Sequence, residues 1–147
     1  MGEKQKDGLK LNFDGRLRLQ FQGASITSDA GLIACRELDE ALGLTEQAKG
    51  ILSEARTGRN IQHDLVALLR QSVFSRLAGY EDTNDAERLS HDPAMRAVIS
   101  RRASERQAAS TNTLSRFETE VLCSEENLEG LARLNSRWVE RAMARTP

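Results

Sequence analysis

The sequence predicts a mainly α-helical protein of about six to seven helices with a short N-terminal β-hairpin. Apolar residues recur at helical spacing in several stretches of the chain. Aromatic residues make up only 4 %, so Leu, Ala, Ile and Val must build the core, and this bias favours packed helices over a β-sandwich. At 147 residues, of which 39 % are hydrophobic and 29 % charged, the chain can bury a single core.

The N-terminal region alternates apolar and polar residues on both sides of Asp14-Gly15, which predicts a β-hairpin over residues 9–23. Residues 1–8 are expected to be disordered. A two-residue loop would place Leu11 opposite Arg18, whereas a three-residue loop would pair Leu11 with Leu19. We favour the three-residue loop because it gathers apolar side chains on one face.

The next part of the chain predicts three helices, at about residues 29–42, 45–52 and 61–78. In the first, apolar residues recur at helical spacing and stop at Gly43. We expect the Thr45 hydroxyl to cap the second helix and Asn60 to cap the third. The third carries a broad apolar stripe and is therefore the expected central core helix. Residues 53–60 are expected to form a loop.

The remaining chain predicts four helices, at about residues 84–89, 93–99, 110–121 and 125–143. Asn84 and Glu87 have the spacing of a capping box, and Asp92 precedes a proline at the first helical position. Ser110 and Ser124 are the expected caps of the last two helices. The apolar residues of the final helix define its expected buried side: Leu128, Leu131, Leu134, Trp138 and Met143.

The charge distribution is uneven although the net charge is only −1. Residues 78–93 carry five carboxylates and one arginine, whereas residues 94–117 carry five arginines and one carboxylate. Residues 100–109 lack a large apolar residue, so we expect an exposed, mobile basic loop there. Arginine outnumbers lysine 17 to 4, and arginine suits bidentate contacts with phosphate and guanine. The basic segment is therefore the candidate DNA-binding surface.

The helix from Ser110 has the composition of a DNA recognition helix, because short polar side chains fill its first turns. The helix from Pro93 would be its partner, across a connection longer than the usual helix-turn-helix turn. An ordinary capped helix with a solvated polar face is the alternative, and both interpretations stay open. The candidate DNA-binding residues are Arg101, Arg102, Arg106, Ser110, Thr111, Asn112, Thr113, Ser115 and Arg116.

No catalytic or metal-ligating residue is predicted. The acidic segment, residues 81–92, is interpreted as structural because Asn84 and Asp92 have expected capping roles. His63 and His91 each lack a second ligand at metal-binding spacing. Glycine-rich phosphate loops and serine-nucleophile elbows are absent from the sequence. Trp138 shares a face with leucines and is expected in the core.

Cys35 and Cys123 lie far apart and have no zinc-binding spacing, so neither zinc nor a disulfide framework is expected. The N-terminus is charged, without the apolar region of a signal peptide. No apolar stretch reaches the length of about eighteen residues that a membrane span needs. These observations predict a cytoplasmic protein in a reducing compartment, without a membrane partner.

Several segments stand in a fixed order over about residues 13–120: Phe13-Asp-Gly15, Thr27-Ser-Asp-Ala-Gly-Leu32, Arg36-Glu-Leu-Asp39, Leu42-Gly-Leu44, His63-Asp-Leu65, Leu68-Leu-Arg-Gln71, Gly79-Tyr-Glu-Asp-Thr-Asn-Asp85, Asp92-Pro93, and Ser110 with Thr113-Leu-Ser-Arg-Phe-Glu118. The ordered set resembles the N-terminal region of DDE transposases of the thirteen-eighty group of bacterial insertion sequences. The sequence departs from that pattern at Ser90-His91, where an arginine-containing pair is expected, and at Thr111-Asn112, where Gln-Pro is expected.

The resemblance implies a protein that binds double-stranded DNA at terminal inverted repeats and assembles on two DNA ends. It also implies strand cutting and rejoining with Mg²⁺, held by an Asp-Asp-Glu triad in a ribonuclease-H-like domain. In that family the first catalytic Asp follows the region equivalent to residues 138–147. We therefore expect residues 24–147 to be the helical DNA-binding and assembly region, with the catalytic domain absent and the chain catalytically incomplete on its own.

Two other functions stay open. One is a helical interaction module that forms a homodimer or docks on full-length transposase through apolar faces around Leu65, Leu69 and Trp138. The other is an inert product of a truncated transposase gene, which the departures from the family pattern would fit.

Overall fold

The computed structural model describes residues 8–19, 28–58 and 61–145. These residues form two short strands and seven α-helices: β1 Leu9–Lys10, β2 Arg18–Leu19, α1 Gly31–Leu42, α2 Leu65–Leu77, α3 Ala86–Leu89, α4 Pro93–Ile99, α5 Arg101–Glu105, α6 Thr111–Arg116 and α7 Glu125–Ala144. Two 3-10 segments, Ser28–Ala30 and Thr45–Gly50, flank α1, and a π-helical segment, Phe117–Leu122, continues α6. The predicted mainly α fold is confirmed.

Helix α2 is the central helix of the fold, as predicted. Ten of its 13 residues are buried, so it is enclosed on nearly all sides rather than along one stripe. One hydrophobic cluster joins Leu68 of α2 to Phe117 and Leu134. A second cluster joins Phe74 of α2 to Met95 of α4. Because both clusters include α2, this helix fixes the positions of α4, α6 and α7 relative to one another.

The predicted start of α2 is wrong. The helix begins at Leu65, and the Asp64 carboxylate caps it by accepting the Ala67 N–H at 2.8 Å. Ile61 precedes the helix and is 39 % exposed, so no burial of that side chain favours an earlier start. Asn60, the predicted cap, lies outside the described residues. Asp and Asn cap helices about equally well, so local sequence did not separate the two starts.

Two other predicted caps are also wrong because other partners occupy the side chains. The Thr45 hydroxyl donates to the buried Asp39 carboxylate at 2.6 Å instead of capping its segment. Asn84 donates its backbone and side-chain N–H groups to the Asp82 carboxylate, each at 2.8 Å. The Glu87 N–H, which a capping box would use locally, bonds the Thr111 hydroxyl at 3.1 Å.

Three predicted caps are confirmed. Asp92 accepts the Met95 N–H at 2.8 Å, and Pro93 follows at the first position of α4. Ser110 caps α6, and Ser124 caps α7. In each case an extended residue with a short polar side chain precedes the first helical turn, so the local sequence carries the whole signal.

The strand register differs from both predicted registers. Leu9 pairs with Leu19 and Lys10 with Arg18, in an antiparallel arrangement. The chain between the strands turns where the Leu17 N–H bonds the Asp14 carbonyl at 3.1 Å. Glu37 of α1 accepts the backbone N–H groups of residues 12 and 13 at 2.9 and 3.3 Å. These N–H groups therefore bond a side-chain carboxylate rather than backbone carbonyls of a paired strand. Residues 20–23 of the predicted hairpin lie outside the described residues.

The predicted exposed loop at residues 100–109 is wrong. Residues 101–105 form α5, which Ser100 caps by accepting the Ala103 N–H at 3.0 Å. Ala103 and Ala108 are fully buried. Arg96 of α4 donates to the Ala103 carbonyl at 2.8 Å and holds the end of α5 against α4. The prediction failed because small alanines fill this part of the core, where the pattern of large apolar residues carries no signal.

Helix α7 closes the carboxyl end of α1. The Trp138 indole N–H donates to the Leu44 carbonyl at 2.7 Å, and Arg141 donates to the Leu42 carbonyl at 2.6 Å. Gly43 between them has φ +65°, a left-handed conformation that suits glycine at a helix end. Trp138 therefore packs on the core, as predicted, and Arg141 satisfies a carbonyl that the last turn of α1 leaves without a helical partner.

The predicted buried side of α7 is only partly right. Leu134 is 1 % exposed, but Leu128 and Met143 are 54 % and 70 % exposed. The helix instead turns Asn127 and Gly130 inward. A Cβ at position 130 would lie 3.1 Å from the Ile51 carbonyl oxygen, so only glycine allows this close approach without a shift. This approach and the Asn127 side-chain bonds set the rotation of α7.

Candidate nucleic-acid surface

The four predicted DNA-contacting arginines are all exposed and lie on α5, just after it, and at the end of α6. Arg101 pairs with Glu105 at 3.0 Å and Arg116 with Glu120 at 3.3 Å. Such exposed pairs one helical turn apart contribute only about 0.3–0.5 kcal/mol. Arg102 and Arg106 have no ion pair with any residue that the structure describes. We call Arg101, Arg102, Arg106 and Arg116 the arginine surface.

The hydroxyl groups at the start of α6 have structural partners. The Ser110 hydroxyl accepts the Thr113 N–H at 3.4 Å and lies 3.2 Å from the Thr113 hydroxyl. The Thr111 hydroxyl accepts the Glu87 N–H from α3. These three side chains therefore fix α6 in place, and their hydroxyls are engaged within the protein.

The other two polar candidates and Arg116 differ in exposure. Asn112 and Arg116 are exposed, whereas Ser115 is half-buried and its carbonyl accepts the Thr119 hydroxyl at 2.9 Å. Asn112 and Arg116 are therefore the α6 side chains best placed to contact a ligand in solvent.

A groove runs beside α6. Two cavities of about 290 and 490 Å³ share Arg56 and Thr113, and one reaches Arg116 while the other reaches His63. The Arg56 guanidinium bonds the Glu54 carboxylate and donates to the His63 carbonyl at 3.2 Å, so it links the loop before α2 to the groove. We call this the α6 groove, lined among others by Arg56, His63, Gln107, Asn112, Thr113 and Arg116.

The pKa of the His63 imidazole depends on the charged groups near one end of the α6 groove. Partial burial lowers its pKa from 6.5, and the positive charge of Arg102 lowers it further, against an opposing effect of Asp64. The folded state thus favours the neutral imidazole. The contribution of His63 to stability is complete above pH 6.5 and is lost as the pH falls from there through the lower pKa of the folded state.

Replacing Arg102 with alanine is therefore expected to raise the pKa of His63 toward 6.5, because a nearby positive charge is removed. The pKa is measured by NMR titration of the imidazole protons. Arg133→Ala, which removes an exposed arginine of α7, is the control and is expected to leave the pKa unchanged. An equal His63 pKa in wild type and Arg102→Ala would show that Arg102 does not face the groove.

The acidic segment has local structural partners. The Asp82 carboxylate accepts both Asn84 bonds, Asp85 lies 3.5 Å from Arg88, and Asp92 caps α4. Among the residues that the structure describes, no three His, Cys, Asp or Glu side chains are grouped so that they could hold a metal ion. The described side chains therefore do not fit the Mg²⁺ site that the resemblance implies.

Sequence reasoning missed a second cationic site. Arg36 of α1 and Arg70 of α2 share the buried Asp39 carboxylate, at 3.4 and 3.3 Å. Together with Arg16 of the β1–β2 loop and Arg101 of α5 they line a cavity of about 390 Å³. We call it the arginine pocket. Its one sequence signal is that Arg36 and Arg70 fall within helices predicted to pack on the core, where a charged side chain needs a partner.

No helix among the described residues is long and apolar enough to span a membrane. Cys35 and Cys123 are free thiols.

Comparison with protein families identifies a match over most of the chain. The model of the family described as transposase DDE domain group 1 matches residues 9–147. Comparisons with curated proteins and with solved structures found no match. The matched range contains the arginine surface, the α6 groove and the arginine pocket. The chain therefore belongs to the DDE transposase family.

Proposed function

We propose that this chain is the DNA-binding and assembly part of an insertion-sequence transposase of the thirteen-eighty group. In this proposal it acts in the cytoplasm and binds the terminal inverted repeats of its element through the arginine surface and the α6 groove. The observation that carries the proposal is the pair Arg102 and Arg106, which are exposed and free of carboxylate partners among the described residues of a transposase-family chain.

Phosphate contacts are the expected main source of affinity. Each arginine that neutralises a phosphate releases condensed counterions from DNA. Arg102 and Arg106 can contact phosphates without breaking an ion pair. Arg101 and Arg116 would exchange weak, exposed carboxylate partners for phosphate, at little cost.

Base contacts are expected from exposed α6 side chains. Arg116 can bind two acceptors of guanine and Asn112 can bind adenine. Ser110, Thr111 and Thr113 would contribute by fixing α6 rather than by direct hydroxyl contacts. Ser115 is half-buried and would contribute less than Asn112 and Arg116. The Glu87 backbone N–H occupies the Thr111 hydroxyl, so α3 covers this side of the start of α6. The phosphate backbone should therefore follow α5 and the groove.

DNA binding, rather than strand cutting, is the activity that we assign to this chain. We derive no catalytic step, and we attribute the Mg²⁺-dependent chemistry to the ribonuclease-H-like domain that the family resemblance implies.

A second copy of the chain is the other candidate partner. The surface that it would contact differs from the one predicted from the sequence. Leu65 and Leu69 are buried in the core, so the faces predicted around them are not available. Helix α7 instead exposes Leu128, Val139 and Met143. Its first turns carry Glu125, Glu126 and Glu129, whereas its later turns carry Arg133, Arg137 and Arg141 against one carboxylate, Glu140. Two α7 helices packed antiparallel would therefore bring opposite charges together.

The DNA interface is tested by fluorescence anisotropy with a duplex carrying the element end. We expect Arg102→Ala/Arg106→Ala to bind about tenfold or more weakly, because two charge-assisted phosphate contacts are lost. Arg133→Ala/Arg137→Ala makes the same charge change on α7 and is expected to bind nearly as wild type. Equal losses for both variants, or no loss for the first, would contradict the proposal.

The mass of the same samples in solution separates the two partners. A monomer whose mass rises only on addition of DNA supports the DNA interface and contradicts assembly through α7. A dimer without DNA that dissociates when Leu128 and Val139 become serine would support α7 as an interface.

A further inference from the structure

The arginine pocket lies between the β1–β2 loop, α1, α2 and the start of α5. Four arginines line it, namely Arg16, Arg36, Arg70 and Arg101. Asp14 is the one carboxylate among the described residues of its lining. Each of these arginines also pairs with a carboxylate, but apart from Asp14 those carboxylates lie outside the lining, so guanidinium groups are the main charged groups of the walls.

The inner wall holds more buried positive than negative charge. The side chains of Arg36 and Arg70 are 8 % and 9 % exposed, and they share Asp39, which is 5 % exposed. Glu40 pairs with Arg36 at 2.9 Å and Glu46 with Arg70 at 3.6 Å, but these two carboxylates are 40 % and 50 % exposed, so water screens them more than it screens Asp39. Two buried guanidiniums thus share one buried carboxylate, and the rest of their compensation comes from partly exposed side chains.

The titration of Arg70 reflects its burial. Burial lowers the pKa of its guanidinium, and the positive charge of Arg36 lowers it further, against the opposing effects of Asp39 and Glu46. The charged form of Arg70 is therefore disfavoured in the folded protein even with its carboxylate partners in place.

The outer wall offers two adjustable donors. The side chains of Arg16 and Arg101 are 54 % and 82 % exposed. Arg16 pairs with Asp14 at 2.7 Å, which lowers the pKa of Asp14 to about 2 and keeps that carboxylate ionised. Arg101 pairs with Glu105 at 3.0 Å. Because such exposed pairs are weak, both arginines can turn from their carboxylate partners to an anion that enters from solvent.

We infer that the arginine pocket binds a phosphate group, either a backbone phosphate of DNA or free inorganic phosphate. Planar guanidinium groups match the oxygens of phosphate with paired hydrogen bonds, and several arginines balance its double charge. The inference goes beyond the proposed DNA interface, because Arg16, Arg36 and Arg70 lie outside the arginine surface. Arg101 belongs to both, so Arg16 is the residue that distinguishes them.

Isothermal titration with inorganic phosphate, at ionic strength held constant with sodium chloride, tests the inference. The wild-type chain is expected to bind one phosphate with a saturable isotherm. Arg16→Ala is expected to weaken this binding about tenfold, through loss of one charge-assisted contact. Arg18→Ala is the matched control on β2, outside the pocket, and is expected to stay within about twofold of wild type. An isotherm without saturation, or equal losses in the two variants, would overturn the inference.

The source of the phosphate is identified with the same variants and duplex DNA. If DNA supplies it, Arg16→Ala weakens duplex binding, and inorganic phosphate competes with the duplex more strongly than chloride at equal ionic strength. If free phosphate is the ligand, Arg16→Ala weakens phosphate binding alone. The Arg102→Ala/Arg106→Ala variant separates the two proposals. If it binds phosphate saturably and binds DNA as wild type does, the proposed DNA interface is wrong and the phosphate site in the arginine pocket stands.

Discussion

Replacing Asp39 with alanine is expected to destabilise the fold by about 3–5 kcal/mol. The buried Arg36 and Arg70 would keep their charges but lose the buried carboxylate that they share. Asp39 is 4 % exposed. Its carboxylate accepts the Thr45 N–H at 2.7 Å and the Thr45 hydroxyl at 2.6 Å, and it neutralises Arg36 and Arg70. The substitution would leave two buried guanidiniums facing each other across α1 and α2.

Urea unfolding followed by circular dichroism measures this effect. Glu40→Ala is the matched control, because it removes the same charge from the next residue and also breaks a pair with Arg36. Its side chain is 40 % exposed, so we expect a loss below about 1 kcal/mol. If Asp39→Ala were no less stable than Glu40→Ala, the buried cluster would not stabilise the fold.

Replacing Asn127 with alanine is expected to cost about 3 kcal/mol, since several buried hydrogen bonds would be lost at once. The Asn127 side chain is buried, accepts the Ser53 N–H at 2.7 Å, and donates to the Ser53 and Val121 carbonyls at 2.7 and 2.9 Å. These bonds fix the segment before α2 to the start of α7. Their loss would leave buried backbone groups without partners.

Asn135→Ala on the exposed side of α7 makes the same chemical change and is expected to lie within about 0.5 kcal/mol of wild type. Thermal and urea unfolding of both variants provide the comparison. A similar stability for the two would mean that the Asn127 amide is dispensable and that apolar packing alone docks α7.

Features that depend on neighbouring residues could be predicted from the sequence. The caps at Asp92, Ser110 and Ser124 and the central role of α2 follow from local residue types and from hydrophobic spacing. The strand register did not follow, because Glu37, distant in sequence, binds the backbone of residues 12 and 13. Helix α5 was missed because buried alanines resemble solvent-exposed ones in a hydrophobicity pattern.

The candidate sites show the same division. The arginine surface lies within one short segment, so a count of charges finds it. The arginine pocket joins the β1–β2 loop to α1, α2 and α5, and only tertiary structure brings these arginines together. The Thr111 hydroxyl looked available for DNA, but α3 supplies its partner. The sequence shows which side chains have the chemistry to contact DNA. Only the fold shows which of them already bond other groups of the protein.

The salt dependence of duplex binding tests the DNA interface most directly. The slope of log affinity against log salt concentration counts the phosphate charges that a protein neutralises, at about 0.9 per contact. We expect the slope of Arg102→Ala/Arg106→Ala to be less steep than that of wild type by about 2, and the slope of Arg133→Ala/Arg137→Ala to equal that of wild type. Equal slopes for wild type and Arg102→Ala/Arg106→Ala would contradict DNA binding through this surface.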